Sequence, residues 1–500
     1  MNDAYHKLMD RIRDHGRLHA VEQLLDWDQE TYMPSGGVKP RAELTALISG
    51  LAHERLVAEE TGKLLSDAQA GDDDHIAQTN LRETRRAFER ASRIPTALVK
   101  EIAHAGAMAK DAWAKARQDD KFQDFAPHLE KMVDLKKQVA EHVGYDTEPY
   151  DALMDEFEPG AKSAGIDTLF AALGERTAAF LRQIQASPTK PDFSILTRHY
   201  PRAQQEPLSR RMAECLHFDF GSGRIDVTVH PFCTSMGGAS DVRITTRYME
   251  DFLPAAMFGT MHETGHALYE QGLLAEHAFT PAGEAVSLGI HESQSRMWEN
   301  LVGRSRAFWE YHYGDVQKMF PDSLGNVSLD EFYRAINTVS PSFIRVEADE
   351  LTYNLHITLR FQIERAMIKG DIKVADVPEA WNAKMRELLG VVPPNNTEGC
   401  LQDIHWSMGI FGYFPTYALG NLYAAQFFDK ASTDIPDLFE RIAKNDHQPL
   451  LGWLRQNIHQ HGQRFRAGEL IERVTGKPLS IEPFMKHVTE KFSRVYGLKS

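Results

Sequence analysis

His262, Glu263, Thr264, Gly265 and His266 form one uninterrupted run, and the chemistry such a run can do is metal-assisted hydrolysis. At about 100° per residue, positions four apart lie on one helix face, so His262 and His266 can offer their imidazoles to a single ion. Catalytic zinc takes three protein ligands and keeps a fourth position open for water, and two histidines with one carboxylate make a suitable set. Glu263 falls beside the ion rather than on it, where its carboxylate can take a proton from water. With 22 histidines in 500 residues, the string arises by chance roughly 0.07 times in a chain of this composition. Its setting therefore has to carry part of the argument.

That setting is a helix. Pro254 is placed to open it, and Ala255, Ala256, Met257, Phe258, Met261, Ala267 and Leu268 make it apolar on most of its circumference. Burying two histidines and a glutamate there is costly unless a metal or hydrogen bonds satisfy them. Thr280-Pro281-Ala282-Gly283 reads as a turn, and the segment from Glu284 to about His312 reads as a second helix folding back along the first. Glu292 on that helix is the leading third ligand. Glu284, in the first turn, and Glu299, two turns beyond Glu292, are its rivals, and spacing alone leaves all three open.

Most of the remaining chain carries helical periodicity. Amphipathic stretches run over 5–27, 40–70, 75–91, 95–118, 122–143, 164–185 and 203–216, then 328–337, 351–369, 377–389, 417–429, 448–458 and 481–496. The exception lies just before the His262 helix. Residues 224–229 and 241–248 alternate and are rich in β-branched side chains, with Gly237-Gly238 between them, which predicts a small antiparallel sheet beside that helix. Its edge can pair with an extended peptide, or the sheet can simply brace the helix. No repeat or flexible linker marks a boundary, so residues 1–500 are read as a single catalytic unit.

Composition narrows the function classes. A formal charge of −15 argues against nucleic acid as the main partner. Cys215, Cys233 and Cys400 are odd in number and widely spaced, form no ligand pattern, and read as reduced core thiols. The polar start and the absence of a long apolar run predict a cytoplasmic protein with no membrane span.

Six ordered strings carry a resemblance: His230-Pro231-Phe232, Asp241-Val242-Arg243-Ile244-Thr245, His262 to His266, His291-Glu292-Ser293, Ile344-Arg345-Val346-Glu347-Ala348-Asp349, and Gly399-Cys400-Leu401-Gln402-Asp403-Ile404-His405-Trp406. In this order they resemble the signature blocks of the carboxypeptidase Taq family of metallocarboxypeptidases, as do Trp27-Asp28 through Met33-Pro34 and Val474-Thr475-Gly476. The resemblance implies a mainly α, neurolysin- and angiotensin-converting-enzyme-like fold, with two helical lobes flanking a deep groove. It further implies a homodimer and release of single residues from peptide C-termini with broad specificity. It implies one zinc ion per subunit, with cobalt as an alternative metal, and it favours Glu292 as the third ligand.

Residue chemistry then assigns roles. Glu263 accepts the proton of the attacking water and passes it to the leaving amine. An oxyanion needs further donors; the resemblance implies His405 and Tyr417, which fall in a late segment as the comparable His and Tyr do in similar helical metallopeptidases, and Tyr413 and Tyr423 compete. A free C-terminal carboxylate calls for arginine, and Arg345 and Arg243 both lie in family-like strings. An ordinary ion pair of Arg345 with Asp349 on a helix is the plain alternative. His230 can line the substrate path or be purely structural. Two other functions stand beside the first: an oligopeptidase or dipeptidyl carboxypeptidase on the same zinc core, and a helical peptide-binding scaffold whose site is only structural. The scaffold is disfavoured because no fourth protein ligand offers itself.

Overall fold

The computed structural model describes residues 1–498 and is mainly α-helical with one three-stranded sheet, as its sequence periodicity predicts. Two compact units emerge, each drawn from three stretches of chain. The first takes Met1–Ser92, Asp192–Ile336 and Ala424–Pro478; the second takes Arg93–Pro191, Asn337–Tyr423 and, of the described residues, 479–498. Such interleaving leaves no linker for composition to reveal. Among the described residues, no helix is long and apolar enough to cross a membrane.

In the first unit, helices Asp3–Thr31 and Val38–Val57 pack along each other, and Tyr5, Leu8, Met9 and Ile12 share a small core with Leu56, Leu65 and Ala77. The helix expected over 40–70 is broken at Ala58, whose extended backbone separates Val38–Val57 from Glu59–Asp67.

The sheet of this unit comprises β1 (Gly223–Val227), β2 (Cys233–Ser235) and β3 (Val242–Thr246), in the order β1-β3-β2. One expectation is corrected here. The two strands read from alternation, now β1 and β3, pair in parallel, with Gly223 opposite Val242, and only β2 runs antiparallel to β3. Alternation fixes which side chains face inward but carries no information on strand direction. The chain between the two strands is long enough to cross over and lay down β2, too short a strand to announce itself. Val242 and Ile244 face inward and pack with Ala213, Phe218 and Ala267, which fastens β3 to the His262 helix.

In the second unit, helix Tyr353–Lys369 is buried nearly all round, and helices Phe122–Val143, Ser163–Ala186 and Val377–Leu389 pack about it. It buries not only Leu355, Leu359 and Phe361 but also His356, Arg360 and Glu364. Polar groups at such depth call for partners, and Glu364 accepts from the Tyr150 hydroxyl and the Trp406 indole N–H while Arg360 gives to Asp403.

Candidate metal centre and active site

Helix Leu253–Glu270 begins with Pro254 in its first turn, as expected, and buries Met257, Phe258, Met261, Ala267 and Leu268. The second helix starts later than predicted, at Leu288, where the Ser287 side chain caps it by accepting from the Ile290 N–H. Glu284 therefore lies outside it, after a short 3-10 turn at Pro281–Gly283, and not in a first helical turn. The two helices meet at Gly265. A Cβ there would lie 2.6 Å from both the Gln294 carbonyl oxygen and the Ser295 Cα. The bare glycine thus lets the Glu292 helix rest directly on the run that carries the histidines.

The result is a triangle of donors. Glu292 Oε2 lies 3.5 Å from His262 Nε2 and 3.3 Å from His266 Nε2, and one donor atom from each residue lies within 4.8 Å of the other two. Metal–ligand bonds of about 2.0–2.1 Å at tetrahedral angles put donor atoms roughly 3.3–3.4 Å apart, so the arrangement fits a small divalent ion. The far sides of the rings bear on which nitrogens face the triangle. Glu299 Oε2 accepts from His262 Nδ1 at 2.9 Å; a carboxylate can only accept, so the proton sits on Nδ1 and the Nε2 lone pair points at the triangle. Burial would raise Glu299, yet Arg296 foremost holds it down at about 2.

His266 is held by a longer chain. Glu270 Oε1 accepts from His291 Nε2 at 2.8 Å, which leaves His291 Nδ1 as an acceptor for His266 Nδ1–H. The Nε2 lone pair of His266 is again turned to the triangle. Glu292 itself receives Arg296 Nε at 2.7 Å and the Ser295 hydroxyl at 2.8 Å, and despite burial Arg296 and the two histidines keep its carboxyl well below the usual range. Glu299, a rival ligand on spacing, instead orients the His262 ring. Sequence reasoning gives no role to His291, named there only within a family-like string, or to Glu270, although Glu270 lies four positions after His266 on the same helix face and His291 precedes Glu292. Replacing His291 by alanine is expected to weaken metal binding about 10–100-fold with the fold retained. Competition against a chromophoric chelator measures this, and an unchanged affinity would remove the relay from the account.

Glu263 is 6% exposed, and burial pushes its carboxyl up to about 7. A carboxylate poised near neutrality beside a metal site is suited to take and return a proton.

The other candidates fall in two places. In the first unit, Arg243 lies on β3, gives Nε and Nη2 to the two oxygens of Asp241 at 2.8 Å each, and stacks over Trp27 at 4.3 Å. His230 is exposed, between β1 and β2. In the second unit, Arg345, His405 and Tyr417 come together. Arg345 is not on a regular helix and is not paired with Asp349, which instead caps the start of the next helix by accepting from Leu351 and Thr352 N–H at 3.0 Å each. The guanidinium gives Nε and Nη2 to Asp403 Oδ1 at 3.1 and 2.9 Å and Nη1 to the Tyr353 hydroxyl at 3.0 Å, and lies 5.0 Å from the Tyr417 ring centre. His405 stacks beside Phe414 at 4.6 Å, and burial lowers its imidazole to about 4. Tyr413 packs edge-on against Tyr417 at 5.2 Å, while Tyr423 is buried.

Comparison with known proteins now decides the family. The family model described as carboxypeptidase Taq (M32) metallopeptidase matches residues 7–492. The chain belongs to the M32 metallopeptidase family. Among M32 relatives, it is 45% identical to thermostable carboxypeptidase 1 of Thermus thermophilus over 99% of both chains, and 39% identical to carboxypeptidase 1 of Bacillus subtilis over 95% of both. It superposes on the crystal structure of an M32 carboxypeptidase from Deinococcus radiodurans R1 with a TM-score of 0.96 at 40% identity, covering 99% of this chain and 100% of that one. The structure of the Pyrococcus furiosus carboxypeptidase gives a TM-score of 0.95 at 37% identity. As a member of M32 the protein is a metallocarboxypeptidase, a peptide hydrolase that works with a divalent metal.

Proposed function

We propose that the protein removes single amino acids from peptide C-termini with broad specificity, using one zinc ion per subunit held by His262, His266 and Glu292, with cobalt able to replace it. The observation that carries this reading is the donor triangle, whose 3.3 and 3.5 Å edges and outward-facing Nδ1 partners leave three lone pairs converging on one point. When bound there, such an ion lowers the pKa of water and polarises a carbonyl. Glu263 accepts the water proton and hands it to the leaving amine nitrogen. His405 and Tyr417 donate to the developing oxyanion. Arg345 recognises the C-terminal carboxylate, supported by the sharing of a single carboxylate, Asp403, between two guanidinium groups, Arg345 and Arg360, which leaves a cationic surplus among the three. Arg243 and His230 contribute to the substrate path.

The test is product analysis. An N-blocked peptide incubated with the zinc-loaded protein should lose one C-terminal residue at a time, and chelator should stop the loss; two-residue or internal products would sink the proposal. Leu44, Leu47 and Leu51, exposed at helical spacing on Val38–Val57, support a homodimer, which sedimentation of the same sample reads directly. Three free thiols support a reducing, cytoplasmic compartment, which cell fractionation checks.

A further inference from the structure

A second cluster of metal-ligating side chains lies in the first unit. Cys215 ends helix Arg202–Cys215, His312 lies on helix Arg306–Met319, and His447 immediately precedes helix Gln448–Asn457. Far apart in sequence, the three place Sγ and one nitrogen of each ring within 4.8 Å of one another. His312 is 1% exposed and His447 0%, and none of their four ring nitrogens makes a well-formed hydrogen bond, although the Asn445 side chain is near enough to act on His312 as a hydrogen-bonding group. Asn445 bears on His312 and offsets part of its burial, but the Asn445 Oδ1 is itself without a partner. Buried polar groups are nearly always satisfied; His356 is left the same way on its own, so it is the convergence of two such imidazoles with a thiol that points to a ligand.

The surroundings fix the rings in place. Phe308 stacks on His312 with ring centres 4.3 Å apart and on His447 at 5.8 Å, and Trp298 closes on His447 at 6.2 Å. Neither imidazole can turn outward to reach water without displacing these rings. A thiol with two imidazoles is a soft donor set, unlike the two histidines and carboxylate of the hydrolytic centre. Charge then selects the ion. Bound as thiolate, Cys215 brings one negative charge, which a monovalent ion cancels; a divalent ion would leave a buried positive charge within electrostatic reach of Arg211. Asp315, the acid that also bears on His312, is already engaged by Arg211 at 2.5 Å, so it is not free to offset the second charge of a divalent ion.

We propose that Cys215, His312 and His447 form a binding site for a soft monovalent metal ion, copper(I), separate from the hydrolytic centre. On binding, the Cys215 thiol releases its proton to solvent as the sulfur–metal bond forms, and each imidazole donates one ring-nitrogen lone pair. No electron is transferred. Burial pushes the thiol up to about 12, so binding should strengthen as pH rises.

The test is an anaerobic titration of the zinc-loaded protein with copper(I) against a chromophoric copper(I) chelator, with X-ray absorption at the copper edge. One tight equivalent is expected, bound by one sulfur and two nitrogens. Cys215→Ser, nearly isosteric, should lower the affinity by at least about a hundred-fold, and Cys400→Ser should not change it. Peptide hydrolysis by Cys215→Ser should equal that of the unaltered protein. His447→Gln should repeat the loss if it folds, and silver(I) gives a redox-inert check if it does not. The absence of a tight equivalent, equal affinity in Cys215→Ser, or a copper environment without sulfur would each overturn the site.

Discussion

Replacing Glu263 by glutamine is expected to cut kcat/KM for peptide hydrolysis by about a thousand-fold while the metal content of the protein stays the same. Such a loss is about 4 kcal/mol of transition-state stabilisation. The substitution preserves shape, and Glu263 is outside the donor triangle, so it isolates proton transfer from metal binding. The carboxyl, pushed up to about 7 by burial, works as a base only when ionised. Activity should therefore fall as pH drops through its pKa, and a cation bound nearby moves that limb below 7 by favouring the ionised form. The glutamine variant should lack the limb. Parallel measurements of metal content and kcat/KM across pH decide the matter, and a variant within ten-fold of the unaltered protein would remove Glu263 from its role.

The second large effect concerns stability. Asp403→Asn is expected to destabilise the fold by about 3–5 kcal/mol, because it strands two buried guanidinium groups. Arg360 is fully buried and gives Nε to Asp403 Oδ2 at 2.6 Å, while Arg345, 7% exposed at its side chain, takes Oδ1. Burial would raise the Asp403 carboxyl, but Arg360 and Arg345 override it and hold it well below the ordinary range. For an acid depressed in the folded state, the stabilisation is complete above the unfolded pKa of about 3.9 and lost only as pH falls through the lower folded value. The triad should thus keep its strength at any mildly acidic pH. Denaturant titration gives the number, and a change under 1 kcal/mol would show that water or a neighbouring group takes over the counter-charge.

What could be read beforehand followed from periodicity and from short-range chemistry. Helices 122–143 and 377–389 begin and end where their apolar spacing and flanking residues place them, Gly390 closing the second in a left-handed conformation. The pair His262 and His266 is a consequence of helix geometry alone. The segment after Glu292 was harder. A π-helical stretch at Met297–Val302 and a break before Arg306 interrupt what 3.6-residue periodicity reads as one helix, and it is this stretch that carries Glu299 toward His262. Strand direction, the His266–His291–Glu270 chain and the Asp403 triad all depend on which distant segments meet. Nothing in the local pattern around Cys215 announces His447, because two buried imidazoles look like any other residues of a helical core.

The missing side chain at Gly265 has a last consequence. Because backbone touches backbone there, the separation of the two helices acts as a gauge, setting the width of the donor triangle before any ligand is considered. On the proposed ligand set, a preference for a small ion with bonds of about 2.0–2.1 Å over one such as calcium, which needs about 2.3–2.6 Å, would then rest partly on the main chain and not only on the histidines and the glutamate.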